Sequence, residues 1–537
     1  MNSILKVGLW IVGVVAVLAL VAIAAFALLF DPNALRDDIT RLVAEKTGRE
    51  LVIDGELSLS FYPWLGFAAG ETSLSNAEGF NEPLMLRFDS ASASVKLLPL
   101  LSRRVELSQV TLDGVELNLR RNASGQTNWD DLLELSADDT ADDADKGDAA
   151  FATQSIGGVT LRDAVINFVD EQDDASYNLT AVDLEVGGIE PGEPFDFSAE
   201  GEALLSSPAM AGPFTASGTG LLGDDDSLTI GKPRFSITAT GESIPGETLK
   251  LQLEANSIDV GEPDIVLDLP VLYLNGEAGG DPWNTLDATI RAPAVSLSDY
   301  DRFVVTTPTM IATVRSPTFT DSVEVELKGR TLKGAIESQA AVLDGAVIET
   351  MGMNIEAAKI DVTQFIDAPT LRGQIEIDQF KPRPVLAHFG AADIITADPA
   401  AMSAAIVSAE AFYTPDAMGL RNMTAKLDQS NIGGSVSYTT TEQVRFDLTV
   451  DSVDIDRYRS PSESTDGAAA GVEEVDIPVD VLRELNLDGT LKVGEMQLVG
   501  LQSTDVTVGI KAAGGKLRVN PSRASLYGGT YQGDISL

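Results

Sequence analysis

Residues 51–61, LVIDGELSLSF, place Leu51, Ile53, Leu57, Leu59 and Phe61 against Asp54, Glu56, Ser58 and Ser60. A period of two belongs to an extended strand with one dry face and one wet face. The pattern returns far downstream. Leu249, Leu251 and Leu253 alternate with Lys250, Gln252 and Glu254, and Val323, Val325 and Leu327 with Glu324, Glu326 and Lys328. Leu371, Gly373, Ile375 and Ile377 alternate with Arg372, Gln374, Glu376 and Asp378. Val444, Phe446, Leu448 and Val450 alternate with Arg445, Asp447, Thr449 and Asp451, and Leu485, Leu487, Leu491 and Val493 follow the same rule. One-sided strands of this kind build antiparallel sheet rather than parallel sheet covered on both faces. The chain is therefore expected to be mainly β, with an elongated, curved antiparallel sheet.

The apolar faces of so many strands add up to a large surface. A sheet that closes or doubles over makes that surface an ordinary core. A sheet that curls without closing leaves an open hydrophobic groove, unfavourable in water unless something apolar fills it. Candidate groove-lining residues are Leu51, Ile53, Leu57, Leu59, Val323, Val325, Leu327, Ile375, Ile377, Phe446, Leu448 and Val450.

Upstream, Val7 to Phe30 is uncharged and almost wholly apolar, and includes Leu9, Trp10, Val14, Leu18, Val21, Phe26 and Leu29. As a helix it would be about 36 Å long, enough to cross a hydrocarbon core of roughly 30 Å. A cleaved signal peptide is the rival reading, with Ala25-Phe26-Ala27 as its cleavage site. The run is longer than a signal core and continues past that site, so a retained single-pass anchor is expected. Lys6 precedes it, while Arg36, Arg41, Lys46 and Arg49 follow, interleaved with acids. Long domains translocate largely regardless of such charges. Asp31-Pro32 opens a second, amphipathic helix carrying Leu35, Ile39, Leu42 and Val43, with Gly48 as its stop. It is expected either on the membrane surface or plugging the end of the β domain.

Composition narrows the functional classes. The 537 residues carry 82 acidic and 37 basic side chains, a net charge of −45. That balance speaks against nucleic acid as a partner and against binding anionic lipid by charge alone. The absence of cysteine suits an oxidising compartment and removes thiol nucleophiles and thiolate metal sites. The single histidine, His388, would have to serve any Ser-His-Asp triad, and no G-x-S-x-G elbow accompanies it. Gly218-Thr219-Gly220-Leu221-Leu222-Gly223 fits a dinucleotide fingerprint, but Asp224 to Asp226 follow it and would repel a pyrophosphate. It reads as a hairpin or turn. No catalytic, cofactor-binding or metal-binding residue is expected, and the protein reads as no enzyme.

Two acidic stretches, SADDTADDADKGDAA (136–150) and SPSESTDGAAAG (460–471), break the pattern and read as disordered loops. Short helices are expected over Pro384–Phe389, closed by Gly390, and over Pro399–Ala405, opened by Asp398. A faint repeat links Val110-Thr111-Leu112 and Val115 to Leu119 with Val159-Thr160-Leu161 and Val165 to Phe168. Each copy reads as strand, turn, strand, a repeated hairpin. Phe61, Tyr62 and Trp64 read as packing at the sheet's end rather than as a membrane belt.

Several stretches resemble the AsmA family of Gram-negative envelope proteins. They are the anchor with its amphipathic helix, GRELVIDGELSLSFYPWLGFAAGETSLSNAEGF, and SASVKLLPLLSRRVELSQVTLDGVELNLRRNASGQTNWDDL. Further on come FKPRPVLAHFG, TADPAAM, VDSVDIDRYRSP, and IPVDVLRELNLDGTLKVGEMQLVGL leading to NPSRASLYGGTYQGDISL. The resemblance implies an inner-membrane anchor and a taco-like periplasmic groove carrying phospholipid acyl chains toward the outer membrane, affecting its assembly. It implies no catalytic residues. The alternative is a non-catalytic scaffold with a sealed face that acts through envelope protein partners.

The expected map is an anchor (1–30), a juxtamembrane helix (31–50), and an N-terminal groove region (51–135). An acidic loop (136–150), a central groove region (151–459), a second loop (460–475) and a C-terminal β region (476–537) follow. That last region ends in mid-strand at Ile535-Ser536-Leu537, where relatives continue, and is expected to be truncated.

Overall fold

The computed structural model describes residues 32–60, 65–95, 104–132 and 152–536, except 173, 191, 208, 224–226, 242–243, 245–246, 262–263, 279–282, 367, 392–393 and 462–485. The expected anchor, the aromatics at 61–64, the first acidic loop and nearly all of the second lie outside the described residues. No helix among the described residues is long and apolar enough to cross a membrane. The chain divides into two compact units, Met1–Glu262 and Pro263–Leu537.

The first unit opens with a 3-10 turn (Pro32–Leu35) and helix α1 (Arg36–Thr47), stopped by Gly48 at φ +68°. Short strands follow: β1 (Leu51–Ile53), β2 (Leu57–Ser60), β3 (Leu65–Ala69), β4 (Thr72–Ser75), β5 (Leu84–Phe88), β6 (Ser90–Val95), β7 (Arg104–Asp113) and β8 (Glu116–Arg121). Long ones come next: β9 (Ala152–Asp170), β10 (Ala175–Val186), β11 (Phe195–Ser206), β12 (Ala209–Leu222) and β13 (Leu228–Ala239). β14 (Thr248–Glu254) and β15 (Ser257–Gly261) complete the unit.

The short strands are halves of longer crossings, each broken once in the middle. β1 pairs β4 while β2 pairs β3, and β5 pairs β8 while β6 pairs β7. At one break Gly55 lies against Gly70, where a Cβ on Gly55 would meet backbone at 2.4 Å. At another Gly114 takes φ +61°. Such breaks act as bulges, bending the strand and raising its twist.

The second unit begins the same way. β16 (Asp264–Asp268), β17 (Val271–Glu277), β18 (Thr285–Arg291), β19 (Ala294–Ser298), β20 (Arg302–Thr306), β21 (Thr309–Arg315), β22 (Val323–Lys328) and β23 (Thr331–Ala335) are again halves of crossings. Three of these breaks hold a proline, Pro270, Pro293 and Pro308. Proline has no N–H for a ladder, so mid-sheet it fits only where the ladder is interrupted. The neighbouring strand uses its carbonyl instead: Leu269 N donates to Pro293 O at 3.0 Å and Gly329 N to Pro308 O at 2.8 Å.

An antiparallel meander follows, of β24 (Ala340–Thr350), β25 (Met353–Thr363), β26 (Thr370–Phe380), β27 (Ala405–Thr414), β28 (Ala417–Leu427), β29 (Ser430–Thr439) and β30 (Val444–Asp454). β31 (Leu487–Leu498), β32 (Leu501–Ala513), β33 (Lys516–Leu526) and β34 (Gly529–Ser536) continue it. Helix α2 (Pro382–His388) sits between β26 and β27, close to its expected place, with Gly390 at φ +82° behind it.

Three features depart from the sequence reading. Two neighbours are parallel, β7 and β8 beside β9, and β30 beside β31. A parallel neighbour needs a return crossover of a dozen or more residues. Both acidic stretches fall in these returns. The repeat is not a pair of hairpins. Each copy is one bent strand, and the copies lie side by side, Val110 opposite Val159, Leu112 opposite Leu161 and Leu117 opposite Ile166. The helix expected over Pro399–Ala405 is a turn, and strand β27 begins at Ala405. There the Asp398 carboxylate accepts the Ala400 amide at 2.8 Å, and Asp428 accepts the next free amides. A capping residue thus makes a turn when tertiary partners take the amides that a second helical turn would use.

Helix α1 covers the free edge of β1 and β2. Ile39 packs on Ile53, Leu57 and Ala69, and Arg36 Nη2 donates to Gly55 O at 2.7 Å. Asn33 Oδ1 accepts from Leu57 N at 3.1 Å, replacing a missing strand partner. The helix thus packs on the sheet edge, one of the two places foreseen for it.

Nearby, two polar side chains are wholly buried, Arg49 and Asn128. Arg49 Nη2 donates to Asn128 O at 2.8 Å and to Asp131 Oδ1 at 2.5 Å. Asn128 Nδ2 donates to Asn118 O and Asn76 Oδ1, both at 2.8 Å, and its Oδ1 accepts from Arg120 N at 2.9 Å. Asn128→Ala would leave three half-buried groups without this partner and is expected to destabilise the first unit by about 1–3 kcal/mol, measured by denaturant unfolding of the full chain.

Candidate functional site

Directly opposed residues on neighbouring strands point to the same face. In the second unit this rule assembles the alternating residues into unbroken apolar rows. One row runs Leu272, Ile290, Met310, Leu327, Ile348, Ile355, Ile377, Val407, Ala425, Ile432, Val450, Val493 and Val506. A second runs Leu267, Val295, Val305, Leu332, Leu343, Ile360, Gly373, Ala411, Leu420, Val436, Phe446, Gly489, Ile510 and Val519. Ile375 and Leu448 lie between them. The other face carries Glu356, Glu376, Ser408, Thr424, Gly433, Thr449, Lys492 and Thr507 in one row.

The first unit has its own rows. Leu51, Leu74, Leu86, Leu117, Ile166, Leu179 and Ala203 form one. Leu57, Ala69, Ala91, Leu112, Leu161, Leu184, Ala199, Ala216, Phe235 and Leu253 form another.

Burial distinguishes these rows from an ordinary core. From Leu272 to Ile432 every member of the first row is half-buried. Among the described residues the largest side chains wholly removed from water are Arg49 and Asn128. No leucine, isoleucine or phenylalanine joins them, and the most deeply buried apolar residues are alanines, such as Ala164, Ala239, Ala401 and Ala409. A sealed two-layer sandwich buries its large side chains first.

The residues singled out from the alternation fall on these faces. Leu51, Leu57, Leu327, Ile377, Phe446 and Val450 are members of the rows, and Ile375 and Leu448 lie between two of them. Ile53 is buried beside Leu57, and Leu59 opposes Phe67. Val323 opposes Val314 and Val325 opposes Ala312. Among the described residues no group of three or more His, Asp or Glu is placed to hold a metal ion. His388 ends α2, and its carbonyl accepts the Thr320 amide at 2.9 Å.

What the alternation did not reveal is a polar buckle along one edge of the second unit's face. Arg457 Nε donates to Asp398 Oδ2 at 2.7 Å, and Tyr458 OH to Asp428 Oδ2 at 2.8 Å. Asp428 also accepts the amides of Met402, Ser403 and Ala404. Asp456 accepts Val499 N at 2.6 Å and Gly500 N at 2.8 Å, and Arg383 donates to Ala401 O, Ile394 O and the Thr396 hydroxyl. Partial burial opposes ionisation of Asp428, but the Tyr458 hydroxyl and the three amides together hold its carboxyl below the usual range. Burial and the Asp428 hydrogen bond push the Tyr458 phenol up to about 12. Arg383, Asp398, Arg457 and Tyr458 come from FKPRPVLAHFG, TADPAAM and VDSVDIDRYRSP, two neighbouring stretches and a third remote in sequence that meet at one edge.

The bent strands, the covered first edge and the one-sided rows prompt comparison with known proteins. Residues 1–226 match the AsmA family. The chain is also 30% identical over 161 residues to "Protein AsmA" of Escherichia coli (strain K12). That match covers 30% of this chain and 25% of the relative, so the aligned part spans about a quarter of the relative's length. No solved structure matches the chain. The family resemblance read from the sequence is thus shown over the first 226 residues. The matched span lies within the first unit and includes Arg49 and Asn128.

Asp428 titrates lower when folded than when unfolded, so the stability it contributes is full above pH ~4 and is lost as pH falls through its depressed value. Asp428→Asn is expected to cost roughly 1–2 kcal/mol at pH 7. The wild-type minus variant difference in thermal midpoint should shrink on acidification from pH 5 to 2.5, a comparison that cancels the general relief of negative charge.

Proposed function

We propose that this protein is a single-pass inner-membrane protein of the bacterial envelope. Its β domain lies in the periplasm and carries phospholipid acyl chains on its apolar face toward the outer membrane. One observation carries the reading: apolar rows cross strand after strand within each unit, and most of their members are only half-buried. An apolar wall of that extent is unfavourable in water, and acyl chains are the apolar matter at hand for a chain that begins with a membrane-length segment. The AsmA match supports the envelope setting. The excess of acidic residues keeps the outer face solvated and disfavours nucleic acid. The role is non-catalytic and needs no cofactor.

The rival is a scaffold whose face is sealed and which acts through envelope protein partners. Three buried clusters favour it: Ile53, Leu57 and Ala69, then Val115, Ala164 and Val182, both in the first unit, and in the second unit Val450, Val493, Val506 and Ala524. The last of these covers one end of one row, whereas that row's other members are half-buried.

The double variant Ile375→Asp, Leu448→Asp separates the two. A sealed core would lose several kcal/mol per buried charge and unfold. A lipid-carrying face should keep its circular dichroism spectrum, while phospholipid co-purifying with the detergent-extracted protein, counted by native mass spectrometry, falls several-fold. Wild-type protein that never takes up labelled phospholipid would refute the proposal.

A further inference from the structure

The apolar face of the second unit is not the same along its two edges. In β26 to β30 four apolar rows cross the strands. The first holds Ile377, Val407, Ala425, Ile432 and Val450, and the last holds Leu371, Tyr413, Met418, Tyr438 and Val444. In the first row Ile377, Val407, Ala425 and Ile432 are half-buried, and where it runs on into Val493 and Val506 the members Val450, Val493 and Val506 are only 8%, 3% and 4% exposed. Leu371, Tyr413, Met418 and Tyr438 are 38%, 39%, 49% and 44% exposed. The covered edge is the one the buckle occupies, where Asp398, Asp428 and Asp456 are fixed by hydrogen bonds. The open edge ends in two tyrosines flanking a methionine.

Chemistry differs in the same sense. Carboxylates crowd the covered edge. In the row just behind the open edge, on the opposite face, Arg372, Arg445, Lys511 and Arg518 outnumber Asp361 and Asp488, although Arg372, Lys511 and Arg518 are ion-paired with Glu410, Asp488 and Asp534. Four of the six are cations in a chain whose net charge is −45. Tyrosine, with an apolar ring and a polar tip, suits a boundary between hydrocarbon and water. From the first row to the last is six residues, about 20 Å at ~3.3 Å per residue. One leaflet of a bilayer holds roughly 15 Å of hydrocarbon, half of a ~30 Å core. The face is therefore wide enough to take an acyl chain laid along the strands.

We propose that a phospholipid on this unit lies with its tails running along β26 to β30 toward the buckled edge and its phosphate-bearing headgroup at the rim formed by Tyr413, Met418 and Tyr438. The inference rests on the lipid-carrying reading above and adds a fixed orientation to it. Lipid enters and leaves across the tyrosine rim, because the opposite edge is latched.

The chain has no cysteine, so single cysteines can be labelled without further change. Met418→Cys at the rim, Leu448→Cys between, and Val407→Cys or Ala425→Cys near the buckle are each labelled with a bimane fluorophore in the full chain. Each is then loaded with phosphatidylcholine carrying a nitroxide on its headgroup or near the methyl end of one tail. The headgroup nitroxide is expected to quench the Met418→Cys probe at least threefold more than the Val407→Cys and Ala425→Cys probes. The tail-end nitroxide should reverse that order, with Leu448→Cys intermediate. Equal quenching at all sites, or the opposite order, overturns the orientation and leaves lipid carriage standing. Failure of the unlabelled wild-type chain to retain either lipid overturns both.

Discussion

Cross-strand register is the constraint on which the remaining architecture depends. Once Ile377 stands opposite Val407, and Val407 opposite Ala425, the side of every later side chain is set, because a slip of one residue would turn a whole strand inside out. The bulges are compatible with this because neighbouring strands interrupt their ladders together. β25 and β26 lose register between Ala357 and Ile360, yet Leu343, Ile360 and Gly373 remain on one row on the far side of the break. Bending and register are thus satisfied at once, and prolines 270, 293 and 308 occupy positions where a ladder hydrogen bond is already forgone.

A one-sided sheet must still manage its edges, where polar backbone would otherwise meet other strands. The first unit covers its leading edge with α1 and lets Asn33 stand in for a strand. Arg49 and Asn128 tie the helix's end to a turn that follows β8. The second unit gathers α2, the Asp398 turn and the segment around Tyr458 into a hydrogen-bonded latch. In both places the polar groups are satisfied chiefly by backbone amides and carbonyls, so they fix geometry more than they add net stability.

Much of this was legible in the sequence because a period of two survives any number of strands. The alternation around Leu51, Leu327, Ile375 and Leu448 falls on the faces that the register assembles, and Gly48 marked the stop of the first helix. The misreadings share a physical cause. Gly114 and Asp163 looked like hairpin turns, but a residue at positive φ serves a bulge as well as a turn, and only the identity of the neighbouring strand decides. Asp398-Pro399 looked like a helix start, but the amides a helix would have used were claimed by Asp428, thirty residues on. The latch was invisible to periodicity because Arg383, Asp398, Asp428 and Tyr458 have no mutual spacing. Its one trace was that three of the stretches carrying the family resemblance, the ones holding Arg383, Asp398 and Tyr458, depart from the regular alternation.

A half-buried face would also let the proposed lipid carrier stay folded without its cargo. Each apolar side chain in a row is shielded by the residue opposite on either strand and by the residues two positions away on its own. At roughly 25 cal/mol per Å² of apolar surface, that lateral burial is gained when the sheet forms and does not depend on an occupant. Filling the face adds only the remaining exposed area, spread over many rows of similar character. A cargo held by many equal, weak contacts meets little to favour one position along the sheet over the next. That condition, easy displacement along the face with the fold unchanged, is what movement of lipid along a sheet requires, and a sealed core could not supply it.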